Sequence, residues 1–338
     1  MALLGTARRL AARPGLAAVA GAGCIAFSAI LVRLADVSPA TAAVFRCVYA
    51  LPVLGALAAW ERRRFGPRGR GQRRLAFIAG VFFGADLVFW HHAIADVGAG
   101  LATVLGNVQV VFVALLAWFL LGERLPLRVR VAIPVSLVGV VLISGVIGAG
   151  AYGRNPPVGA VFGILTALAY SGFLLILRQG NRDIRRPAGP LFDATLAGAI
   201  FSVVAGVVTG DLDLVPQWPS VGWLVVLALT SQVLGWLLIS MSLPRLPAAL
   251  TSVVLTLQPV GSVMLGMVLL SERPSALQLA GVGVILAAVV IATSRRRPNA
   301  VERASGPTYA GPLGPLSPRR RPLSLPKNNS RSDERSGL

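Results

Sequence analysis

Leu101–Arg124 reads LATVLGNVQVVFVALLAWFLLGER, and Leu250–Arg273 reads LTSVVLTLQPVGSVMLGMVLLSER. The two stretches align without a gap: Gln109 falls on Gln258, Val111 on Val260, Leu121 on Leu270 and Glu123-Arg124 on Glu272-Arg273. Each is apolar over about the ~20 residues that a helix needs to cross ~30 Å of hydrocarbon. If five spans separate the copies, an odd number, the halves of the chain lie upside down relative to each other. That arrangement is a property of secondary transporters.

Working outward from the repeat, apolar runs fall at about 15–34, 40–60, 74–95, 99–121, 130–149, 157–178, 188–209, 219–242, 247–270 and 275–294. Hydrophobic residues make up 55% of the chain and charged ones only 13%. A soluble core of this size does not need runs so long and so frequent, so the chain reads as an all-α integral membrane protein. About ten transmembrane helices are expected, as two inverted five-helix repeats.

The net charge of +19 raises the question of nucleic acid. The basic residues are almost all arginine and cluster between spans, with no basic helix interleaved with exposed aromatics, so no nucleic-acid partner is expected. Arg62, Arg63, Arg64, Arg68, Arg70, Arg73 and Arg74 follow the second span, and Arg124, Arg128 and Arg130 the fourth. Arg178, Arg182, Arg185 and Arg186 follow the sixth, and Arg245 follows the eighth. The alternate connections hold Asp36, Asp96, Arg154, Asp211, Asp213 and the Glu272-Arg273 pair. This alternation fits the positive-inside rule for an even number of spans with both termini cytoplasmic in a multi-pass protein of the plasma membrane.

Residues 1–14 form a short cytoplasmic N-terminus, and the apolar run from Leu16 to Val32 is too long for a signal-peptide core. The two repeats occupy 15–149 and 157–294. Residues 295–338, rich in Pro, Ser, Gly and Arg, read as a disordered basic cytoplasmic tail. Cys24 and Cys47 both lie inside spans and imply neither a disulfide nor a metal site.

Continuing the same offset backwards places Phe89-Trp90-His91-His92-Ala93 on Leu238-Ile239-Ser240-Met241-Ser242, each ending a helix before a short turn into the repeated segment. A short loop, a small-residue helix and a closing L-x-E-R, twice at about 150 residues' separation, resemble the EamA domain of the drug/metabolite transporter superfamily. The resemblance covers about residues 15–294. It implies a helical bundle with a central cavity formed by both halves, and movement of small organic metabolites, often outward. One position departs from the family: a proline common three residues after the Asn that matches Asn107 is Val110 here, while the second copy keeps Pro259. Proline removes a helical donor, so the ninth span is expected to bend more than the fourth.

Charged groups at mid-span are expensive and face a cavity or a partner. Asp86, near the centre of the third span, and Arg46, in the second, are of this kind. They suit a buried ion pair, or a proton or substrate amine at Asp86 with a substrate carboxylate at Arg46. Helical spacing puts Asp86, Trp90 and Ala93 on one face and leaves His92 slightly nearer that face than His91. Two histidines without further ligands make no metal site, and no motif for a bound nucleotide or other cofactor is present. Asn107 and Gln109 from the fourth span, Gln258 from the ninth, Gln232 from the eighth and Tyr170 with Ser171 from the sixth complete the polar candidates. Such groups either contact substrate or join helices by hydrogen bonds. Trp60 and Trp223 read as interface anchors, and Gly80/Gly84 and Gly159/Gly163 as helix-packing pairs.

The expected function is secondary transport, with export the expected direction, of small organic metabolites such as amino acids or related compounds by alternating access. Its partners are a small-molecule metabolite, the lipid bilayer and protons as a candidate coupling ion. The alternatives are a lipid translocator and an intramembrane enzyme acting on a lipid-linked substrate. The enzyme would need paired carboxylates at depth, and only one deep carboxylate is apparent.

Overall fold

The architecture is that of a computed structural model that describes residues 14–122, 127–180, 185–242 and 248–293. Glu123-Arg124 and the tail at 295–338 lie outside the described residues. In the first half α1 spans Pro14–Ala35, α2 Pro39–Phe65 and α3 Arg70–Val97; α4 comprises Ala99–Gly106 and Gln109–Leu121, and α5 is Leu127–Ile143. In the second half α6 is Pro156–Gly180, α7 Ala188–Thr209, α8 Ser220–Ser242, α9 Ala248–Leu269 and α10 Ala276–Thr293. No strand occurs among the described residues.

Local chemistry sets several of these boundaries. Pro39 and Pro156 sit in the first turns of α2 and α6, where a missing N–H costs nothing. The Ser38 hydroxyl accepts from Thr41 N at 3.3 Å and caps α2. Between α3 and α4 stands Gly98 alone, at φ +89°, a conformation that other residues reach only with strain.

Among the described residues, eight helices are long and apolar enough to cross a membrane, and α9 contributes a shorter apolar stretch, Leu257–Leu269. The fifth span ends earlier than expected: α5 stops at Ile143, and 144–149 are turns and bends. Gly145, Gly148 and Gly150 all take positive φ and end the helix.

The packing has the symmetry of an inverted repeat. α3 lies against α6 and α7, and its counterpart α8 lies against α1 and α2. α9 packs on α1 as α4 packs on α6, while α2 with α7, α4 with α9 and α5 with α10 pair across the axis. Close approach of backbones makes these pairs possible. A Cβ on Gly80 would stand 2.3 Å from Ala194 O, and one on Gly139 would stand 2.6 Å from Ile285 Cγ1. Gly80 and Gly84 thus pack α3 on α7, as their spacing predicts, and Gly139 faces Gly281 where α5 meets α10.

Carboxylates tie the halves together by capping helices. Glu272, which follows α9, accepts from Ala99 N at 2.6 Å and Gly100 N at 3.1 Å at the start of α4. Glu61, near the end of α2, accepts from Ala188 N at 2.9 Å and Gly189 N at 2.8 Å at the start of α7. Asp211, just past α7, accepts a longer bond of 3.5 Å from Ala40 N at the start of α2. Each places a negative charge on the positive end of a helix dipole. The loop between the halves is held by the fully buried Gln278, whose amide bonds Tyr152 N at 2.8 Å, Ser275 N at 3.0 Å, Tyr152 O at 2.9 Å and Ile143 O at 3.2 Å.

Candidate functional site

A cavity of about 80 Å³ lies inside the bundle, walled by residues of α1, α2, α3, α4, α6, α8 and α9. Because both halves contribute, relative movement of the halves changes its shape.

α2 and α3 supply the charged groups. Arg46 is 3% exposed and Asp86 8% exposed, and both line the cavity. No nitrogen–oxygen contact within 4.0 Å joins them, so the ion pair that the sequence allows is not formed. Arg46 instead donates from Nε to Gln232 Oε1 at 3.1 Å and places its guanidinium 5.6 Å from the centre of the Trp90 ring. Its Nη1 is buried and has no hydrogen-bond partner among the described residues. A guanidinium held from one edge and along one face, with another donor unused, is disposed to receive an anion.

The irregular part of α8 positions Gln232. Residues Ala228–Gly235 form a π-helical segment, wider than the α-helix on either side. Gln232 is fully buried there and donates to Thr195 Oγ1 at 3.1 Å while accepting from Arg46. It thus stands behind Arg46 and is not on the cavity wall. The same segment hands over to Trp236, which faces the cavity and meets Phe83 edge to face with ring centres 6.0 Å apart. Tyr170, 5.9 Å from Trp236 between ring centres, extends the aromatic wall.

α4 supplies the amides, and it is α4 that is interrupted. The fourth span is divided at Asn107–Val108, whereas the ninth runs as one helix through Pro259. The Asn107 side chain donates to Thr103 O at 2.8 Å, competing with the backbone for that carbonyl. The next bonds are of the tighter i to i−3 kind, Val108 N to Leu105 O at 3.1 Å and Val111 N to Val108 O at 2.9 Å. The interruption thus coincides with an amide side chain that bonds its own helix. Asn107 and Gln109 both reach the cavity, joined by Gln258 from α9. Ser171 is buried behind them, donating to Gln109 O at 3.1 Å.

The histidines lie elsewhere. His91 is 1% exposed with Nδ1 3.1 Å from Pro39 O, and His92 stacks on Phe162 with centres 4.9 Å apart. Neither lines the cavity. Trp60 is exposed as an interface anchor would be, but Trp223 packs against the core.

Four features lay beyond the sequence reading: Ser28, Thr103 and Thr166 on the cavity wall, and the capping role of Glu272. The hydroxyls gave no signal because serine and threonine are frequent in apolar helices. Glu272 gave one, as the matched Glu of each L-x-E-R, but the motif does not say what the carboxylate touches.

Comparison with known proteins bears on this geometry. The profile of the EamA-like transporter family matches twice, at residues 13–145 and 157–294. Twenty solved chains match, among them one titled "Crystal structure of protein", which shares the fold with a TM-score of 0.54 and 18% identity. That match covers 84% of this chain and 96% of the other. No curated protein matches.

Proposed function

The chain belongs to the EamA-like transporter family, and from that premise we propose that it exports an amino acid or a closely related amphipathic metabolite by alternating access. Membership supplies the coarser statement, a multi-pass membrane transporter of small molecules. The finer one rests above all on a single observation: Arg46 and Asp86 share one buried cavity without pairing. Two unpaired charges at such depth are costly, and a ligand carrying both a carboxylate and an ammonium group relieves both.

In this reading the carboxylate takes the unused donors of Arg46, and the ammonium group lies at Asp86. The Tyr170–Trp236 wall holds the apolar part, and Asn107, Gln109 and Gln258 bond polar substituents. Gln109 Oε1 and Thr166 Oγ1, both buried without a partner among the described residues, are suited to that work. Protons are the proposed coupling ion, exchanging at Asp86 when the substrate leaves. The arginine-rich connections face the cytoplasm of the plasma membrane. Export is the direction that the family resemblance implies.

The test compares metabolites outside and inside cells that produce the intact protein, Asp86→Asn or Arg46→Lys. An amino compound should accumulate outside only with the intact protein. Arg46→Lys keeps the charge but loses the planar fork, and should weaken export at least ~10-fold. Equal export by both folded variants would remove the charged pair from the transport cycle. A chemically altered product in place of the unchanged compound would favour the enzyme reading.

A further inference from the structure

A second cavity, of about 300 Å³, opens where the end of α2, the following loop and the start of α7 meet. Arg62, Arg68, Arg73 and Arg186 line it together with Glu61 and Asp193. Both carboxylates are already engaged. Glu61 spends both oxygens on the first amides of α7, and Asp193 pairs with Arg68 and stands 3.7 Å from Arg73.

Arg62, Arg68 and Arg73 alone outnumber them. Arg62 forms no ion pair among the described residues, and Arg186 donates to the carbonyls of Phe65 at 3.3 Å and Gly66 at 3.2 Å. Arg68 donates to Gly189 O at 2.9 Å, yet its Nη1 is buried without a partner among the described residues. The cavity therefore holds surplus positive charge, oriented donors and room for several heavy atoms. Trp60, 56% exposed between the lining residues Ala59 and Glu61 with the Arg64 guanidinium 5.8 Å from its ring, marks this end of α2 as the headgroup level of the bilayer.

We propose that this cavity is a binding site for a phosphate group, carried either by an anionic phospholipid or by a soluble phosphate. Guanidinium forks match phosphate oxygens in geometry as well as charge. Basic pockets between helices at this level hold lipid headgroups for the same reason. The site is separate from the central cavity, and the proposal rests on membrane embedding alone, so it survives if the transport reading fails.

The experiment uses the full chain, delipidated in detergent, and native mass spectrometry to follow binding of phosphatidylglycerol, phosphatidylcholine and inorganic phosphate. Phosphatidylglycerol should bind at least ~10-fold more tightly than phosphatidylcholine. Arg62→Gln with Arg73→Gln should weaken it roughly 25-fold, at about fivefold per arginine. Arg63→Gln with Arg74→Gln removes the same charge from positions that do not line the cavity, and should have less than half that effect on a logarithmic scale. Binding of inorganic phosphate with the same arginine dependence, and none of phosphatidylglycerol, would identify the ligand as a soluble phosphate. Equal binding of both lipids without phosphate binding would overturn the proposal, as would equal losses in the two double variants or none in the first. Should the first double variant aggregate, Arg62→Glu at its exposed position provides the same comparison.

Discussion

Replacing Glu272 by glutamine removes one charge and almost no volume, and so isolates what its carboxylate does. Both oxygens accept backbone N–H bonds from the start of α4, at 2.6 Å and 3.1 Å, and the residue is 3% exposed. Glutamine can accept only one of these; its NH₂ group would confront the other N–H. A hydrogen bond to a charged group contributes about 1.5–3 kcal/mol. If the contact is made only while that end of the bundle is closed, its loss favours opening about 10- to 150-fold. The assay is modification of a Ser28→Cys reporter on the cavity wall by a membrane-impermeant thiol reagent, with Cys24 and Cys47 replaced. The reagent is applied from the side of the α3–α4 turn. Glu272→Gln should raise the modification rate by that factor, with the protein still folded. An unchanged rate and an unchanged melting temperature would refute the reasoning. A lower melting temperature without faster modification would make Glu272 a structural cap and not a latch.

Gly80→Leu should abolish recovery of folded protein by size-exclusion chromatography, because the new side chain meets the backbone of α7, whereas Gly23→Ala, with nothing within 4 Å, should elute as the parent does. Gln278→Ala strips all four partners from the loop between the halves and should cost about 2–4 kcal/mol, read as a lower melting temperature. Arg154→Ala breaks the 2.7 Å contact with Asp96, but the arginine is 74% exposed, so the loss should stay below about 1 kcal/mol by the same measurement.

Length and apolarity made the helices legible, and the repeat made their pairing legible, because both are properties of runs of residues. The end of α5 was not read correctly: Ile143 is followed by further apolar residues, and only the glycines at 145, 148 and 150 show that the chain turns there. Asp86, Arg46, Trp90, Asn107, Gln109, Tyr170 and Gln258 were found as polar or aromatic exceptions within apolar helices, and they do share a cavity. Gln232 was found for the same reason but holds Arg46 from behind, a distinction that depends on the π-helical segment of α8. His92 illustrates the limit of helical spacing, which gives a direction on α3 but not what Phe162 of α6 puts there. Pro259 drew attention to α9 while Asn107 interrupted α4, since a side chain that bonds its own helix leaves no compositional mark.

The exchange of caps between α2 and α7 acts as a gauge of membrane thickness. Glu61 near the far end of α2 holds the start of α7, and Asp211 past the far end of α7 reaches the start of α2. From Ala40 to Glu61 an α-helix rises about 32 Å, close to the ~30 Å of bilayer hydrocarbon. One residue added within either helix would move a carboxylate by ~1.5 Å and swing it ~100° around the axis, away from the amides it holds. The two helices therefore fix each other's length, and a bilayer of different thickness must deform around them.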